Sequence, residues 1–285
     1  MIKKLKYFIQ AIIIYIFFII GKLLGKTISR KVFSFLFFKF VPFFKSKKII
    51  EKNLRIFKNN ISVDEINSIT LEFLKNYGMT FIEYVFLNDF RKDNSHITIK
   101  GKENLLKILQ QNKSVIFVSG HFANYELMSM EINKMNIKLA TIYRPLNNFF
   151  LNPLMEYLRR KYVCKYQIKK GIKGVREAID FINKDFSIAL MIDQRVSEGE
   201  KINFFNKLAL TTTLPAQLSI KYNLPIIPVF IERINVNKFQ LIFHSQIKPD
   251  NFKNKLSLTK KLNEILEQMI SKNPNQWIWT HNRWK

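Results

Sequence analysis

The stretch Ser119-Gly-His-Phe-Ala-Asn-Tyr-Glu126 holds the residue types best suited to chemistry. A histidine in a turn with one ring nitrogen held by a carboxylate keeps the other free as a base. Such a base deprotonates a hydroxyl, which can then attack an activated carbonyl. His121 and Glu126 are five residues apart. On one continuous helix they would point about 140° apart. They can meet if His121 lies in a turn and Glu126 in the helix that follows, and that pairing is the expectation here. A histidine that merely caps a helix is the competing reading.

His121 is not isolated in this respect. Val115–Val118, Leu139–Tyr143, Ile188–Ile192, Ile226–Phe230 and Phe239–Phe243 read as short buried strands. Asn124–Met135, Asn152–Lys161, Val175–Asn183 and Leu214–Tyr222 read as helices between them. Asp64–Phe86 reads as an earlier helix, and a last one is expected to start at Ser257 as N-cap. Strand–helix alternation predicts an α/β fold, a central, mostly parallel sheet flanked by helices. His121, Arg144 and Asp193 each follow a strand directly, so all three fall at carboxyl ends, where open α/β sheets bind ligands.

Other chemistries find little support. His96, His244 and His281 lack metal-ligand spacing, so no metal site is expected. Cys164, the only cysteine, excludes a disulfide framework and reads as a structural residue in a strand. No glycine-rich phosphate loop is present, and Ser119-Gly-His lacks the flanking glycine of a nucleophile elbow.

The 285 residues carry 47 Lys+Arg against 21 Asp+Glu, a net charge of +26. That field favours a polyanionic partner, although Lys, Ile, Asn and Phe enrichment also accompanies AT-rich coding. Its distribution is more informative. Residues 1–58 hold 14 Lys/Arg and one acid, Glu51, and are also the most apolar stretch. Lys3, Lys4 and Lys6 precede an apolar run from Tyr7 to Gly21, close to the length of a spanning helix if Lys22 snorkels. No small-residue cleavage site follows, which favours an uncleaved anchor over a signal peptide. The aromatic stretch Phe33–Phe44, flanked by Lys45, Lys47 and Lys48, suits a membrane interface. The expected organisation is a membrane anchor over 1–30, an interfacial segment over 31–60 and a catalytic domain over 61–285.

Several blocks taken in order resemble the bacterial lipid A biosynthesis lauroyl/myristoyl acyltransferases, the late-acting secondary acyltransferases. They are His121-x4-Glu126, Tyr143-Arg-Pro145 with Asn147-Asn148, Asp193-Gln194, Phe204-Phe205 before Thr211-Thr-Thr213, and the closing Pro274-Asn-Gln-Trp-Ile-Trp-Thr-His-Asn-Arg-Trp-Lys285. Asn206 and Arg195 depart from the usual pattern, outside the core motif. The resemblance implies an inner-membrane enzyme facing the cytoplasm, without metal or organic cofactor. It implies acyl transfer from acyl carrier protein to the 3-hydroxyl of an acyl chain on a lipid A precursor. His121 would be the base and Glu126 its orienting partner; Arg144 would lie near the reaction centre or the substrate's phosphates, and Asp193 and Gln194 would bind substrate or support the site.

Two alternatives stay open at this point. The acceptor could be another glycolipid, or the chain could be a non-catalytic membrane-tethered binder of polyanions. Binding to nucleic acid is not expected, because half the excess charge lies beside the apolar anchor rather than across the body.

Overall fold

The computed structural model describes residues 2–44, 47–109 and 114–285; Lys45, one of the expected interfacial lysines, falls outside them. The first helix, α1 (Ile2–Phe44), is broken at Gly25, whose φ of 74° and ψ of 164° are open essentially to glycine alone. The chain doubles back there. The rings of Phe17 and Phe33 lie 5.5 Å apart, whereas sixteen residues of straight helix would separate them by about 24 Å. The expected division at residue 30 therefore gives way to a helical hairpin with its bend at Gly25. Both arms lie on α3 (Val63–Glu83). Gly21 meets Ile82, and Gly78 leaves only enough room for the backbone carbonyl of Phe33. Between them, α2 (Lys47–Phe57) buries Ile50 and Leu54.

A seven-stranded sheet follows, ordered β1-β9-β8-β2-β5-β3-β4. Its strands are β1 (Ile97–Lys100), β2 (Ile116–Ser119), β3 (Leu139–Tyr143), β4 (Tyr166–Lys169), β5 (Ser187–Met191), β8 (Ile226–Arg233) and β9 (Phe239–Phe243). The sole antiparallel pairing within it is β8 with β9. β6 (Glu200–Phe204) and β7 (Lys207–Thr211) form a separate hairpin that strand patterning did not reveal. The central strands read as unbroken apolar runs because both faces are covered. Ile116, Val118, Ile188 and Leu190 point into one core, with α8 (Ile172–Ile182), α9 (Leu214–Tyr222) and α10 (Lys255–Lys272). Val115, Phe117 and Ala189 point into the other, with α4 (Leu87–Lys92), α5 (Lys102–Leu109), α6 (Glu126–Lys134) and α7 (Asn152–Leu158).

Three local readings need correction. The N-cap of α10 is Asn254, which accepts from the backbone of Leu256 and Ser257; Ser257 closes the capping box instead. Cys164 sits just before β4, its thiol donating to the Leu139 carbonyl. The helix expected over Asn152–Lys161 widens into a π turn at Arg159–Val163.

Candidate active site

Strand register brings the first pair together. β2 and β5 are parallel neighbours with Ser119 opposite Met191. Two residues further along, His121 and Asp193 face each other across the same edge. Asp193 Oδ1 lies 2.7 Å from His121 Nδ1, and Oδ2 accepts from the His121 backbone N–H at 2.8 Å. Trp277 Nε1 donates to the same Oδ2 at 2.8 Å. Burial alone would raise the Asp193 carboxyl, but the His121 charge and these hydrogen bonds outweigh it and bring it down to about 2. An ionised carboxylate only accepts, so His121 Nδ1 carries a proton, and in the neutral ring Nε2 keeps the lone pair.

Glu126 is placed elsewhere. It opens α6, and its Oε1 accepts from the Tyr84 hydroxyl at 2.6 Å and from Arg159 Nε at 2.8 Å. The partner of the His121 ring is thus Asp193 rather than the expected Glu126. The turn explains this: Ala123 takes a positive φ of 43°, and Phe122 pairs with Trp277, so α6 (Glu126–Lys134) begins only at Glu126. Glu126 is linked to His121 indirectly, through the Tyr84 hydroxyl and then Tyr125. The Tyr125 ring packs edge-on to His121 at 4.6 Å, and its hydroxyl lies 3.2 Å from that of Tyr84. Burial and the Glu126 charge push the Tyr125 phenol up to about 12 and the Tyr84 phenol well above its ordinary range. Burial works against the Arg159 charge, but Glu126 more than restores it.

These groups line one cavity of about 370 Å³ at the carboxyl edge of the sheet. His121, Glu126, Arg144, Gln194 and Arg159 contribute its polar wall; Met128, Val163, Leu190 and Ile278 contribute apolar surface. Asp193 stands behind His121, fully buried. His281 lies close by. Its Nε2 accepts from the Arg195 backbone N–H at 2.9 Å, and burial pushes the ring down to about 4, so it stays neutral. Among the described residues no group of His, Cys, Asp and Glu is arranged to hold a metal ion.

The turn carrying His121 is itself braced. Asn124 donates to Glu83 Oε2 at 2.9 Å, and Thr80 donates to the Ala123 carbonyl at 3.0 Å. Glu83 is fully buried between Arg233, at 2.7 and 2.9 Å, and Arg30 of α1, at 2.7 Å. Burial would raise this carboxyl, but the two guanidinium groups hold it below its ordinary value.

The sequence reading missed Arg159, Tyr84, Trp277 and the Glu83 cluster. Only Trp277 left a trace, inside the closing motif.

Comparison with known proteins decides the class. The family described as bacterial lipid A biosynthesis acyltransferase matches residues 1–285. The chain belongs to that family. This acyltransferase is 25% identical over 259 residues to the lipid A biosynthesis palmitoleoyltransferase of Escherichia coli (strain K12), covering 86% of this chain and 80% of that one. The same figures hold for the lipid A biosynthesis acyltransferase of Shigella flexneri. Among solved structures, the 1-acyl-sn-glycerophosphate acyltransferase of Thermotoga maritima aligns with a TM-score of 0.42 and 14% identity, covering 95% of the acyltransferase and 99% of that chain. The long apolar α1 of the acyltransferase fits a membrane anchor.

Proposed function

We propose that the enzyme transfers a fatty acyl group from acyl carrier protein to a hydroxyl of an acyl chain on a lipid A precursor. His121 Nε2 takes the acceptor's hydroxyl proton as the oxygen attacks the thioester carbonyl. The tetrahedral intermediate collapses with cleavage of the C–S bond, and the departing thiolate takes the proton back from the imidazolium. Asp193 holds the required tautomer and stabilises the imidazolium while it lasts. Glu126 and Arg159 form one wall of the same cavity, and Arg144 and Gln194 contact the substrates there. The observation that carries this reading is the bond from Asp193 to His121 Nδ1, which leaves Nε2 basic inside a partly apolar cavity.

Attachment is to the inner membrane, with the catalytic domain in the cytoplasm. The lysines flanking α1 favour an anionic cytoplasmic leaflet, and an acidic carrier protein would be drawn to the same basic surface.

The test uses membranes containing the full chain, acyl carrier protein charged with C12, C14 or C16 chains, and a lipid A precursor. Wild type adds a single acyl increment by product mass. His121→Ala abolishes it, and Asp193→Asn lowers kcat by about 10²–10⁴-fold with KM little changed. An increment that survives His121→Ala would refute the mechanism. If acyl-CoA or another glycolipid supports transfer while the stated pair does not, the donor or acceptor assignment falls.

A further inference from the structure

One face of α2 is basic along its length. Lys48, Lys52 and Arg55 are spaced four and three residues apart, so they share one side of the helix. All three are exposed. With Lys207 of the β6–β7 hairpin they line a groove of about 580 Å³, whose lining also includes the half-buried Ile56 and Phe205. Glu51 is the single acid of that lining, and Arg55 takes it at 2.8 Å. Among the described residues Lys48, Lys52 and Lys207 have no carboxylate within ion-pairing distance, whereas Lys58, just past the helix, pairs with Glu65.

This arrangement does not stabilise the helix. Like charges four residues apart repel, as Lys48 and Lys52 do. Lys47 and Lys48 stand in a first turn that holds no acid, against the positive end of the helix dipole. An anionic partner would relieve both. The shape narrows the choice. A bilayer presents a flat surface, whereas Ile56 and Phe205 lie inside a concavity. α2 exposes none of the large apolar side chains that cover α1. A helix with an acidic face fits, its charges meeting the lysines and its apolar side meeting Ile56 and Phe205.

The groove is also joined to the catalytic centre. The ring of Phe205 lies 5.2 Å from Phe57, Phe57 lies 5.5 Å from Trp279, and Trp279 lies 4.7 Å from Trp277, which holds Asp193. From the buried face of α2, Asn53 Nδ2 donates to the carbonyls of Trp279 and His281 at 2.9 and 2.8 Å. α2 is thus fixed to the segment that supports the partner of His121. A protein seated in the groove is near enough to present a thioester on a flexible arm.

We propose that the groove between α2 and the β6–β7 hairpin is the docking surface for an acidic helix of the protein that carries the acyl donor. The assignment rests on the acyl-transfer reading for the identity of that protein, an acyl carrier protein.

Binding of acyl carrier protein to the full chain in detergent tests this without turnover. Lys52→Glu combined with Lys207→Glu is expected to weaken binding about tenfold or more. Wild-type affinity should fall as salt rises, and that of the charge-reversed protein should change less. Lys52→Arg with Lys207→Arg should bind as wild type does. The charge-reversed protein should melt with wild type and accept acyl groups from acyl-phosphopantetheine, which brings no protein to dock, at the wild-type rate. Unchanged carrier affinity after charge reversal, or an equal fall in transfer from the small donor, would overturn the proposal. Weaker binding to phosphatidylglycerol vesicles with carrier binding unchanged would overturn it too, and give the groove to the membrane. Acyl transfer to the lipid A precursor is assayed in parallel. Carrier binding that depends on these lysines without transfer would sink the acyl-transfer reading and leave the docking surface standing.

Discussion

Three hydrogen bonds end on the Asp193 carboxylate, and together they let a buried acid stay charged. The position was legible in outline, since Asp193 and His121 each stand two residues beyond the last paired residue of a neighbouring strand. Their partnership was not, because it depends on strand order, and β2 and β5 are separated by two intervening strands in the chain. Glu126 was read as the partner from local spacing. Spacing alone does not reveal a turn that holds Ala123 at positive φ and defers the helix to Glu126. The charged state of Asp193 has a consequence for stability. Its carboxyl falls from 3.8 to about 2 on folding, so it binds its proton more weakly in the native state than in the unfolded one. That difference stabilises the protein by roughly 2 kcal/mol above about pH 4 and is lost as pH drops through the folded value. Asp193→Asn should therefore unfold more readily than wild type at pH 7, with the gap closing between about pH 4 and pH 2. Thermal unfolding of both proteins across that range checks this; a gap independent of pH would show that Asp193 stabilises by packing alone.

At the scale of elements, the central strands were readable because burial on both faces writes continuous apolar runs, and Leu139–Tyr143 and Phe239–Phe243 fall where the pattern placed them. The β6–β7 hairpin was not, since only two residues of each strand are buried, and in β7 these are Ala209 and Thr211 while Leu208 is exposed. What fixes the elements against one another is polar and long-range. Glu83 joins α3 to β8 through Arg233, to α1 through Arg30 and to the catalytic turn through Asn124. Removing it leaves two buried guanidinium groups without a counter-charge. Glu83→Ala is expected to cost about 3–5 kcal/mol of stability. Glu65→Ala, which breaks an exposed pair with Lys58, should cost at most about 1 kcal/mol. Chemical denaturation in detergent compares the two, and equal losses would mean that the buried cluster is not what ties these elements. The bend of α1 depends on backbone instead. A methyl group at Gly25 would meet nothing within 4 Å, so any loss in Gly25→Ala, expected at about 1–3 kcal/mol, is conformational. An unchanged melting temperature would show that the bend tolerates side chains.

For the molecule as a whole, the anchor was legible and its path was not. An apolar run flanked by lysines reads as a membrane anchor close to spanning length. In the folded chain the first arm of α1 stays on the domain along its length. Asn148 donates to the Tyr7 carbonyl, Tyr15 donates to the Phe150 carbonyl, and Gly21 abuts Ile82. A helix held this way cannot span a membrane without drawing the loop at 148–150 to bilayer depth. Ile9, Ile12, Ile16, Ile19 and Leu23 nevertheless face outward from it, spaced three or four residues apart along one face. That face is suited to lie in the interface, with Lys3, Lys4 and Lys6 at headgroup level. The chain should then enter one leaflet and leave by the same side. Single cysteines at Lys3 and at Lys285, introduced into a Cys164→Ala background, should both react with an impermeant thiol reagent applied from the cytoplasmic face of inverted membrane vesicles. Reaction of Lys285→Cys alone from that face, with Lys3→Cys reached only from the other, would mean that the first arm of α1 detaches from the domain and crosses.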